Sequence, residues 1–265
     1  MHISFTALMG YILGLGLFIL AVYFNTDNYL MFFSLSSLLM VLGGTIAVAM
    51  ISFEGINVLL AMKAIFATLA TAKVNTRKLY NDVGVLIDWA IIVRKEGLRK
   101  FENTVVLSKD EDQNFLGQSF LYLLSGYKGD KLMTLLEHTR QSMYDRQMMQ
   151  AKVLMTMASA APAFGMIGTL VGLVIMLNSM EGDPSKIGGG LAVALLTTLY
   201  GVLMAQLIFK PAARKIEQKQ ELEAYRNHIL TEGILLMAEG DSPTHIQDAM
   251  NAFLDPRYQF KRAGT

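Results

Sequence analysis

The sequence predicts an all-α integral membrane protein with four transmembrane helices and a large helical cytoplasmic segment between the second and third spans. Three observations carry that prediction. The 265 residues are 53% hydrophobic and only 17% charged, with a mean hydropathy of +0.39, whereas a soluble domain carries about a quarter charged residues. The apolar residues collect in four stretches almost free of charge, at about 3–23, 29–53, 153–179 and 187–209, each long enough to cross a bilayer as a helix. The cations avoid those stretches: of 23 Lys and Arg residues, 14 lie within 54–152, 8 lie after 209, and only Lys186 falls elsewhere.

Taken in order, residues 1–53 form the first hairpin. The start Met1-His2-Ile3-Ser4 lacks a basic n-region, so an uncleaved span is expected rather than a signal peptide. Residues 54–152 form a cytoplasmic helical domain. Apolar residues at three-to-four spacing predict helices over 56–72, 75–100, 114–126 and 131–149, with Asn75 and Asp130 as caps and Gly97 and Gly126 as breaks. Residues 153–209 form the second hairpin. Residues 210–265 begin as a charged helix continuing the fourth span past Pro211, and a shorter helix over 244–254 follows a turn at 240–243. No strand alternation of useful length occurs. Because cationic loops stay in the cytoplasm, both termini are expected there, and the outer turns are short.

The residue inventory excludes much chemistry. With no cysteine, thiol catalysis and thiol ligation are absent. His2, His138, His228 and His245 show no metal-ligand spacing. No phosphate loop, dinucleotide fingerprint or nucleophile elbow is present, so no enzyme activity, cofactor or resident metal is expected. A net charge of +1 with interspersed signs offers nothing to a nucleic acid.

The third and fourth spans contain no Asp, Glu, Lys, Arg or His. Ion pumps and proton relays ordinarily keep an ionisable group at membrane depth, so this chain either moves no ions or uses the acid of a partner. What the spans do carry is a small-and-polar stripe. Ala161, Pro162, Gly165, Gly168, Thr169 and Gly172 fall within about 120° on the third helix. Gly190, Ala194, Thr197, Thr198, Gly201 and Ala205 fall within about 100° on the fourth. Antiparallel pairing puts Thr169, Thr197 and Thr198 at one depth. Two readings stand. Small residues let membrane helices approach closely, and hydroxyl and carbonyl oxygens at one depth suit a hard cation. Pro162 adds to the second, because its ring frees the carbonyl of Ala158; Pro211 is a second break.

At these residues the chain resembles the MotA/PomA flagellar stator proteins, of the MotA/TolQ/ExbB superfamily. The run 161–173, APAFGMIGTLVGL, is similar to their third span, and 192–201, AVALLTTLYG, to their fourth. The likeness covers nearly the whole chain, including the Glu232-Gly233, Glu239-Gly240 and Pro243 tail. It implies a homopentamer in the bacterial inner membrane around two copies of a MotB/PomB-like subunit. That partner's single span carries the ion-binding Asp, and its periplasmic domain grips peptidoglycan. It further implies torque on the switch protein FliG, with Arg94, Lys95 and Glu102 at that contact, and Pro162 and Pro211 coupling ion passage to conformation. Thr169, Thr197 and Thr198 match threonines of the ion path in sodium-type members, which points to Na+, with H+ as the alternative. Two departures stand out: Asn103 replaces a second acid, and Ser34 replaces an Asp near the outer end of the second span.

Other classes fit less well. ExbB/TolQ-like subunits have three spans, and the first hairpin argues against them. A self-sufficient transporter needs an intramembrane ionisable group or inverted repeats, and neither is visible. A scaffold with no ion flux remains a further reading, as does a related non-flagellar rotary motor.

Overall fold

A computed structural model describes residues 5–69, 76–97, 114–180 and 187–260. Among them every regular element is helical. They are α1 (Phe5–Asn25), a 3-10 turn (Tyr29–Phe32), α2 (Leu35–Ser52), α3 (Gly55–Leu69), α4 (Thr76–Glu96), α5 (Phe115–Leu124) and α6 (Gly129–Met180). There follow α7 (Ile187–Leu203), a π-helical segment (Met204–Phe209), α8 (Lys210–Glu239), α9 (Pro243–Asn251) and a last 3-10 turn (Pro256–Tyr258). Three of the helical stretches are long and apolar enough to cross a membrane: Tyr29–Ser52, Gly129–Ser179 and Ile187–Glu239. The helix α1 is itself 21 residues long.

Several boundaries differ from the sequence expectation. The helix over 131–149 and the third span are one uninterrupted 52-residue helix, because neither Gly nor Pro intervenes before Pro162. Asp130 therefore does not cap. It lies in the first turn of α6, where its charge complements the helix dipole, and Gly129, at φ +53°, begins the helix. The second span is broken at Phe33 and Ser34, both extended, and Ser34 caps α2 by accepting from Ser37 N–H. Pro211 is not a break. It sits in the first turn of α8, directly after the π segment. The last helix starts one residue earlier, at Pro243 behind the Ser242 cap, and ends at Asn251. Gly97 and Gly126 do stop helices, with φ of +76° and +78°, the left-handed conformation that glycine adopts without a Cβ clash. Asn75 lies outside the described residues.

The chain gathers into two compact units, one of Met1–Lys73 with Gln147–Gln218, the other of Val74–Arg146 with Lys219–Thr265. In the first, α2 buries one face, Ser37, Val41, Thr45 and Ala49, at four-residue spacing. That face joins Ala151, Leu154, Met157 and Ala161 of α6 and Ala205, Phe209 and Ala212 beyond α7 in a core of mostly small side chains. The outward faces are just as apolar: Leu17 and Leu170 are each 64% exposed and Ile51 is 86% exposed, a surface that water does not favour.

The second unit has a core of large side chains. Leu86, Leu132, Leu136, Ile229, Leu230, Ile234, Ile246 and Met250 are all buried, with Trp89 and Phe120 packed at a centroid distance of 5.1 Å. Asn251 and Gln247 bind the backbone of Phe260, whose ring stacks on Tyr80. One polar cluster ties α4 to α8. Arg226 donates to Asp82 and, at 2.6 Å, to Glu223, while Lys78 reaches Glu223 at 3.2 Å. Burial alone would push the Glu223 carboxyl up, but Arg226 and Lys78 outweigh it and hold the group below its ordinary 4.5. Burial likewise opposes the Arg226 charge, and Asp82 and Glu223 more than offset it.

A depressed carboxylate contributes stability above its unfolded pKa and loses it as pH falls through the folded value. The cluster is thus at full strength at neutral pH. Acidification below about pH 4.5 should lower the thermal midpoint of the detergent-purified protein, and Glu223→Gln should flatten that acid limb. Arg226→Ala, which leaves the Asp82 carboxylate unpaired and Glu223 with Lys78 alone, should cost on the order of 3 kcal/mol at pH 7, read as a drop in the same midpoint.

Candidate functional site

The α6–α7 pairing brings two main chains together at a series of glycines. A Cβ built on Gly201 would lie 2.5 Å from the Ala161 carbonyl, and one on Gly165 would lie 3.0 Å from the Thr197 carbonyl. On Gly172 it would meet Ala194 N at 2.6 Å, and on Gly190 it would meet Met176 N at 2.7 Å. Gly168 faces the side chain of Thr197, which would stand 2.4 Å from an added Cβ. These pairs run in opposite directions along the two helices, so the seam is antiparallel. Only glycine permits it. Of the Gly188-Gly189-Gly190 run, only Gly190 is in the seam; the other two face open space.

The three threonines receive different environments. Thr197 is fully buried, and its hydroxyl donates within its own helix, to Val193 and Ala194 carbonyls at 3.0 and 2.9 Å. Thr198 is half-buried and crosses the seam, donating to the Gly165 carbonyl at 3.3 Å. Thr169 donates to the Met166 carbonyl at 2.5 Å. An α-helical hydroxyl that donates to backbone keeps its lone pairs as acceptors.

Which of them can meet a partner follows from α2. That helix packs on α7, and the Phe164 ring of α6 lies across Gly44, so one flank of the hairpin is covered. Thr198 stands about 160° around α7 from Tyr200, and Thr169 and Pro162 stand about 140° and 160° around α6 from Phe164. All three lie on the flank away from α2. Thr197 lies in the seam between.

Tyr200 is a residue that pattern reading missed. Its hydroxyl donates to the Phe32 carbonyl at 2.6 Å and accepts from Ser34 N–H at 3.0 Å, pinning the entry of α2 to α7. A phenol in an apolar run was the available signal, since a buried Tyr hydroxyl seeks a partner. Ser34, the position where an Asp was expected, gathers Ser36 and Ser37 hydroxyls at 3.1 and 2.9 Å. It acts here as a neutral helix cap.

In the second unit Arg94 and Lys95 occupy the last turn of α4 and are exposed. Arg94 reaches the Gly240 carbonyl at 3.5 Å, at the C-terminal end of α8. Glu102 and Asn103 lie outside the described residues.

Two main chains in contact, an oxygen-bearing flank and no acid in either span describe a helical membrane subunit. The comparisons agree. The profile of the MotA/TolQ/ExbB proton channel family matches residues 107–229. Motility protein A of Borreliella burgdorferi is 30% identical over 261 residues, 96% of this chain and 95% of that protein. Chemotaxis protein PomA of Vibrio alginolyticus is 30% identical over 229 residues, 85% of each. A solved structure of C. jejuni MotAB superimposes with a TM-score of 0.81 at 22% identity, covering 98% of this chain and 100% of that one, a likeness of fold. The chain belongs to the MotA/TolQ/ExbB family, within its MotA/PomA branch. Its relatives are channel subunits, and the protein is not an enzyme.

Gly201→Ala should cost about 2 kcal/mol through overpacking against Ala161, seen as a lowered thermal midpoint in detergent. Gly43→Ala, which meets nothing within 4 Å, should be neutral or slightly stabilising. Equal losses from the two would contradict a backbone-to-backbone seam.

Proposed function

We propose that this protein is the flagellar stator subunit that pairs with a MotB/PomB-like single-span protein and converts sodium influx into rotation. The observation that carries the proposal is the hairpin 153–209, in which neither span holds an ionisable side chain while Thr169 and Thr198 present hydroxyls on one uncovered flank. A charged carboxylate is costly in the bilayer. A partner Asp on that flank would therefore change its fit against the uncharged wall each time it gained or lost a cation. Family membership, and relatives named for motility and chemotaxis, support the same reading.

In this reading all four apolar helices span the inner membrane, both termini are cytoplasmic, and five copies surround two partner chains. Exposed Arg94 and Lys95, with Glu102, engage FliG, and Pro162 and Pro211 transmit the ion step. Sodium is favoured over the proton because several oxygen ligands suit a metal ion, where a proton needs one acceptor.

The test is motility of a stator-deficient strain carrying this chain and a MotB/PomB-like subunit with a membrane Asp. Swimming should require external sodium, and full speed in sodium-free potassium medium would refute the choice of ion. Thr198→Ala, removing one neutral oxygen ligand worth about 1 kcal/mol, should raise the half-saturating sodium concentration roughly fivefold. No rotation with any partner carrying a membrane Asp would refute the stator reading itself.

A further inference from the structure

The segment after α9 is built around side-chain hydrogen bonds. The chain reverses at Asp255-Pro256, where the Asp255 carboxylate accepts from Arg257 N–H at 3.0 Å and its carbonyl accepts from Tyr258 N–H at 2.7 Å. The reversal lays residues 259 and 260 back along α9. There Asn251 serves both polar groups of one residue. Its Oδ1 accepts from Phe260 N–H at 2.8 Å, and its Nδ2 donates to the Phe260 carbonyl at 2.9 Å. Gln247 donates to the same carbonyl at 3.1 Å. The Gln259 amide donates to the Asn251 carbonyl at 3.1 Å, at the end of α9, where helix carbonyls lack intrahelical donors. A side chain that pairs with both groups of a residue does what a neighbouring strand would do. Phe260 is thus held to α9 by its backbone.

Its ring goes to α4. It stacks on Tyr80 at a centroid distance of 4.4 Å and an interplanar angle of 6°, and it lies over Gly84, where an added Cβ would stand 3.3 Å from Cζ. At about 100° per residue, Tyr80 and Gly84 mark one flank of α4, and Lys78 and Asp82 mark the flank about 160° away. Lys78 and Asp82 are tied to Glu223 and Arg226 of α8. Between the flanks lie buried Val83, Leu86 and Ala90 on one side and exposed Asn81, Val85 and Asp88 on the other. Helix α4 is therefore gripped at both edges of its buried face, by ion pairs at one and by Phe260 at the other. Arg94 and Lys95, in its last turn, lie within about 60° of the Phe260 flank.

We infer that residues 255–260 are a clasp that sets the rotation of α4 about its own axis, which makes Phe260 a positioning residue for the Arg94–Lys95 end. The use of that end in torque rests on the stator reading; the clasp itself does not. A turn of about 20° moves a group about 6 Å off the helix axis by about 2 Å. That is enough to carry a close ion pair with a partner out of contact.

Trp89, the one tryptophan of the chain, reports on the clasp. Its indole is 6% exposed, packs on Phe120 and belongs to α4. In the detergent-purified full chain, held below its thermal midpoint, Phe260→Ala should raise acrylamide quenching of Trp89 about twofold through local opening. Phe260→Tyr, which keeps the stacked ring, should match the wild type. Asn251→Ala should give the same rise as Phe260→Ala, and the double variant no more than either, because both act through one contact. In the complemented strain, at protein levels matched by immunoblot, Phe260→Ala should cut swimming speed to about half or less while half-saturating sodium stays within about twofold. Phe260→Tyr should restore the speed. Wild-type quenching in Phe260→Ala, or additive rises in the double variant, would overturn the clasp. Raised quenching with undiminished swimming would overturn the positioning role. If the wild-type chain drives no motility, the stator reading fails and takes the torque role with it, while the quenching result still decides the clasp.

Discussion

The approach of the α6 and α7 main chains is the constraint on which the first unit depends. In lipid no hydrophobic force drives helices together, so association rests on close van der Waals contact and hydrogen bonds. Glycines at 165, 168, 172, 190 and 201 give that contact by removing the side chains that would separate the backbones. A consequence follows for chemistry. With few side chains in the seam beyond Thr197, its accessible polar atoms are carbonyls and the hydroxyls of threonines at its edge. Thr198 bonding to the Gly165 carbonyl is packing and oxygen chemistry in one contact.

The two units are held by different forces. The first relies on small residues and on Tyr200, which pins the α2 entry through two hydrogen bonds in surroundings that offer its backbone partners few others. The second has a core of Leu, Ile, Met and Trp and a charge cluster around Arg226 that keeps every member paired. Helices α6 and α8 each contribute residues to both units.

The proposed division of labour explains how this chain can lack an acid in its third and fourth spans. A wall of neutral oxygens interacts with a cation weakly and with a neutralised carboxylate hardly at all. In the proposed function this is how the wall distinguishes the charged from the discharged state of the partner. Pro162 belongs to the same stretch: it lies inside the continuous α6 helix, and its ring removes the donor that the Ala158 carbonyl would otherwise meet.

The sequence alone determined the helical class, the four apolar stretches, the asymmetry of the cations and the small-residue stripe, because hydropathy and helical periodicity are local properties of the chain. Glycine stops at 97 and 126 were legible for the same reason. Only the tertiary structure decided which threonine is sealed in the seam and which stand on the open flank, since rotation about a helix axis depends on what packs against it. It also decided that Ser34 is a cap, that Tyr200 reaches a loop 166 residues away in sequence, and that the chain takes a π turn before Pro211. Each of those is a pairing between distant segments or a shift in hydrogen-bond register, and neither leaves a periodic mark in the amino-acid order.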